Sequence, residues 1–61
     1  MTTIEHVKQE LREMAILGLH VPANAIAYVD ARTAEVEGYR DEGMKISEIA
    51  DLVCDLSELA A

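Results

Sequence analysis

The sequence predicts a small all-α protein, a compact three-helix arrangement with a long central helix, associating as a homodimer. Three observations predict it. Apolar residues recur at alternating three- and four-residue spacing in three stretches, the pattern that lines one face of a helix. A single proline, Pro22, separates the first stretch from the second. The chain has 61 residues, no Phe or Trp and one cysteine, so one domain must be held by Leu, Ile, Val and Met with two Tyr. A chain this short buries only about 60% of the surface its unfolded form exposes. Association is the route to stability left when disulfides and metals are absent, and a two-fold dimer is its commonest form.

The first helix is expected over residues 3–18. Thr2 followed three residues later by Glu5 matches a capping box. Ile4, Val7, Leu11, Met14, Ala15 and Gly18 then share a face, with Glu5, Lys8, Gln9, Arg12 and Glu13 over the rest. Its last residues, MAILGL, are apolar all round, so this end should be buried against the central helix or a second subunit. Gly18 suits the left-handed position that ends a helix.

The central helix is expected over residues 24–43, capped by Asn24 and ended by Gly43. It carries too many packing faces for a surface helix. Ile26, Val29, Thr33, Val36 and Arg40 form one stripe, and an acidic edge of Asp30, Glu37 and Asp41 lies beside it. Ala27, Ala31, Ala34 and Gly38 form a stripe of small residues, read as a self-association seam because it lets two helix backbones approach closely. Close packing within the chain is the competing explanation. Tyr28, Arg32, Glu35 and Tyr39 make a third stripe, a candidate interface, since tyrosine is enriched at binding hot spots.

The third helix is expected over residues 47–59, with Ser47 as its cap. Ile49, Leu52, Val53, Leu56, Leu59 and Ala60 form its apolar stripe. Opposite lie Glu48, Asp51, Asp55 and Glu58. Like charges at this spacing cost a helix about 0.2–0.5 kcal/mol per pair, and Asp55 and Glu58 sit at the end where the helix dipole favours cations. Glu37 and Asp41 repeat the conflict on the central helix. Accepting that cost twice points to a docking face for a basic surface. Solubility is the plainer explanation for the same charges.

Several function classes are disfavoured. Twelve acids against five bases give a net charge of −7, which repels nucleic-acid phosphates, and the bases are scattered. No apolar run approaches a membrane span or a signal peptide, and the lone Cys54 gives no sign of an oxidising compartment, so a cytoplasmic setting is expected. Cys54 stands among Asp51, Asp55 and Glu58, which oppose the thiolate that nucleophilic chemistry needs. His6 and His20 are fourteen residues apart, in no metal-ligand spacing. No catalytic residues, metal or cofactor are expected, and an enzyme is not.

Residues 39–60, YRDEGMKISEIADLVCDLSELA, resemble the opening half of a helix-turn-helix, the G-M-K-I-S-E-I-A-D-L-V phrase leading toward the turn. Only SELAA follows Leu56, too short and acidic for a recognition helix, so what the resemblance implies is at most a degenerate transcriptional cofactor. The reading the sequence favours is a non-enzymatic interaction module, a small acidic inhibitor or regulator. It docks its acidic face on a larger, nucleic-acid-handling protein, as phage counter-defence proteins or antitoxins do. Its rival is an assembly module whose acids only solubilise it.

Overall fold

A computed structural model describes Met1 to Ala61 and contains four helices and no strand: α1 (Thr3–Ile16), α2 (Ala25–Ala31), α3 (Thr33–Asp41) and α4 (Ile46–Ala60). The all-helical class is as expected. The long central helix is not. It breaks at Arg32, whose backbone leaves helical geometry at φ −134° and ψ 43°. The Arg32 N–H turns back to the Val29 carbonyl at 3.0 Å, and the Arg32 carbonyl restarts the ladder by accepting from Val36 N–H at 3.0 Å. A straight helix over residues 24–43 would be about 30 Å long, as long as the whole 28 × 22 × 16 Å body. The break lets Ala25 and Val29 from one half and Val36 from the other close on a single core.

That core is Val7, Leu11, Ala25, Val29, Val36, Ile49, Ala50 and Val53, with Ile4, Met14, Val21, Ile26, Tyr28, Tyr39, Met44, Ile46 and Cys54 packed round it. On α4 the inward face differs from the expected stripe. Ile49, Ala50, Val53 and Ser57 are buried, Leu52 and Leu56 are half-buried, and Leu59 is 83% exposed. The helix has turned its small residues inward because α2 starts close by: Asn24 Nδ2 donates to the Ser57 carbonyl at 3.0 Å. Asn24 therefore stands at the N-cap of α2 without capping it, and instead satisfies one of the last, otherwise orphaned carbonyls of α4.

Two of the three connections turn on glycine. Gly18 N–H donates to Ala15 and Leu19 N–H to Met14, while Gly43 N–H donates to Arg40 and Met44 N–H to Tyr39. Each pair is a Schellman motif, which needs the left-handed φ of +84° at Gly18 and +99° at Gly43. At the start of α1, Thr2 Oγ1 accepts from Glu5 N–H at 3.2 Å. The start of α4 is shifted from the expected Ser47 to Lys45, because the Glu48 carboxylate accepts from Lys45 N–H at 2.9 Å. Lysine has no acceptor to return the bond, so this box is one-sided.

His20, just after α1, meets Glu58, near the end of α4, at 2.8 Å. The C-terminal ends of α1 and α4 thus share one end of the molecule, and α2 begins there too. Met14 packs on the core, but Ile16, Leu17 and Leu19 are 83%, 77% and 55% exposed. Burial of this end against the central helix does not occur.

Candidate interaction surfaces

Successive residues of a helix are about 100° apart. Going round α4 from its inward face, Leu52, Leu56 and Leu59 come first, then an arc of Glu48, Asp55, Asp51 and Glu58, all four exposed. Their circumstances differ. Glu48 is occupied by the Lys45 amide, and Glu58 by the His20 ring at 2.8 Å. Asp51 and Asp55, one turn apart, have neither a hydrogen bond nor an ion pair from their side chains. Glu37 and Asp41 are likewise exposed and unpaired on α3. Asp30, the third member of the central acidic edge, is taken by Lys8 of α1 at 2.7 Å, an inter-helix pair that sequence reasoning missed. Helical spacing compares residues within one helix, and it carries no information on partners 22 positions apart.

The field of the arc is felt by Cys54. Burial pushes its thiol pKa up first, and the Asp51, Asp55 and Glu58 charges push it further the same way. The thiolate is disfavoured by both causes, and no positive group opposes them.

The tyrosine stripe is a connected chain of contacts. The Arg32 guanidinium lies 3.9 Å over the Tyr28 ring, Arg32 Nε is 4.0 Å from Glu35 Oε2, and Tyr39 Oη donates to Glu35 Oε1 at 2.9 Å. The bond to Glu35, then burial and the carboxylate's charge, raise the Tyr39 pKa. The chain runs from α2, through the break, into α3. Its four residues are satisfied by one another across the bend.

Ala27, Ala31 and Ala34 are exposed and Gly38 is half-buried, with no atom within 4 Å of where a Cβ at Gly38 would stand. Close packing within the chain therefore does not explain this stripe. His6 and His20 lie apart, each at a shallow surface hollow, and no group of three metal-ligating side chains forms. No helix is long and apolar enough to cross a membrane.

Comparison with protein-family models, curated proteins and solved structures finds no match to this chain.

Proposed function

We propose that the protein is a non-enzymatic interaction module that docks the acidic arc of α4 on a basic surface of a larger, nucleic-acid-handling protein. It does so as a cytoplasmic homodimer, without metal, cofactor or direct nucleic-acid contact. The observation that carries this reading is the pair Asp51 and Asp55. They are exposed, one turn apart, and answered by no cation of their own chain, although Asp30 and Glu35 each find one and Glu58 meets the His20 ring. A carboxylate pair left unneutralised is what a lysine- or arginine-rich partner would complete, with faster association as the main gain. Glu48 and Glu58 lie on the same arc, and Glu37 and Asp41 on α3 are exposed and unpaired as well.

The test is paired. Asp51→Asn with Asp55→Asn removes their repulsion, so the free protein should keep its fold or gain up to about 0.5 kcal/mol. Affinity for a partner recovered from the source cell at low salt should fall, and the loss should shrink at high salt. A variant that binds as tightly as the parent at low salt overturns the proposal. The rival assembly reading has an observation of its own, the exposed leucines and isoleucine at one end of the body.

A further inference from the structure

The large apolar side chains open to solvent are not scattered. Five exceed half exposure or stand near it, and four of them, Ile16, Leu17, Leu19 and Leu59, lie at the end of the molecule where His20 meets Glu58. Only Met1 lies outside that group. A soluble monomer seldom gathers exposed apolar surface this way without a use for it.

Charge identifies the occupant. From Met14 to Val29 the chain has sixteen consecutive residues with no Asp, Glu, Lys or Arg, although twelve acids are spread over the 61. Two copies, each of net charge −7, repel across the acidic arc of α4, whereas at this end the Met14–Val29 stretch brings no charged side chain and the one acid beside it, Glu58, faces the His20 ring, so this surface can meet its own copy at less cost. A basic partner would find no carboxylate in that stretch to pair with. Size is compatible as well. A standard interface takes roughly 800 Å² from each partner, about a fifth of the 3848 Å² this chain exposes.

We infer that the apolar end formed by Ile16, Leu17, Leu19 and Leu59 is the homodimer interface, its occupant a second copy of this chain. The inference rests on the homodimer part of the reading above, and it moves the seam away from Ala27, Ala31, Ala34 and Gly38. It also leaves Glu48, Asp51 and Asp55 of the acidic arc for another partner. Salt separates the two surfaces. Screening should tighten contact between like-charged copies and weaken docking of the arc on a basic protein.

Sedimentation equilibrium of the full chain at low and high salt tests it, with Leu17→Ser, Leu59→Ser and Ala31→Leu as variants. The expected result is a dimer that tightens with salt, weakens about tenfold in each serine variant, and is unchanged in Ala31→Leu. Circular dichroism checks that helix content is kept, and since Leu17 follows the end of α1 and Leu59 lies on α4, each reads the surface independently of the other. A parent that stays monomeric at high salt overturns the homodimer reading together with this interface. A dimer that survives both serine changes overturns the interface alone, and loss in Ala31→Leu would then return the seam to the small residues.

Discussion

Gly18 and Gly43 hold backbone angles that a side chain resists, and nothing lies within 4 Å of a Cβ at either. The cost of alanine there is therefore conformational and not steric, on the order of 1–2 kcal/mol at each site. Gly38 is the opposite case. It sits inside α3 without a positive φ and with open space round it, so Gly38→Ala should stabilise the protein by up to about 1 kcal/mol. Urea unfolding of the three variants checks the signs, and a stabilising Gly18→Ala would show that the α1 terminus does not need its Schellman geometry. Titration gives a second residue-scale prediction. Tyr39 and Cys54 both have folded pKa values raised above their ordinary ones. The native state then holds these protons more tightly than the unfolded chain. Their contribution is complete below the unfolded pKa and is lost as pH rises through the folded one. Melting temperature should fall on the alkaline side, and Tyr39→Phe with Cys54→Ala should flatten that fall.

At the scale of the element, the decisive feature is the bend between α2 and α3. Its residues, Ala31-Arg32-Thr33, include no glycine or proline, and the apolar stripe of Val29 and Val36 keeps helical phase across it. Nothing local marks it. The break accompanies the closure of Ala25, Val29 and Val36 on one core, a property of the assembled fold. The stripe of Tyr28, Arg32, Glu35 and Tyr39 was legible as a unit because its spacing survives the bend, but its contacts across the bend were not. Arg32→Ala removes the ring contact and a long ion pair, both at the surface, and should cost about 1 kcal/mol or less. Double-mutant cycles with Tyr28→Leu check it, and zero coupling would leave the chain of contacts without energetic meaning. Asn24 gives the sharper loss. Its bond to the half-buried Ser57 carbonyl ties α2 to α4, so Asn24→Ala should cost about 1 kcal/mol and speed amide exchange at the end of α4.

For the whole molecule, the sequence was a good guide to class and to the inward faces of α1 and of the central stretch, and a poorer one to the face of α4. Charge, helix content and both glycine stops could be read directly, because each depends on residues close in the chain. The inward face of α4 could not, since Ser57 carries no hydrophobic signal and is buried where Asn24 bonds its carbonyl, and Ala50 carries only a weak one. Only nine residues are fully buried, eight of them in one core dominated by valine. If the chain associates as proposed, melting temperature should rise with protein concentration. A concentration-independent transition would show a self-sufficient monomer. The uncharged belt has one more consequence, in how the chain can be cut. Trypsin needs lysine or arginine, and none lies between Arg12 and Arg32 or after Lys45. Digestion thus delivers residues 13–32, the α1 end with all of α2, as one peptide, and residues 46–61, all of α4, as another. Those two fragments hold Ile16, Leu17 and Leu19 on one side and Leu59 with Asp51 and Asp55 on the other. Covalent footprinting read by mass would therefore follow the apolar end from both helices that build it.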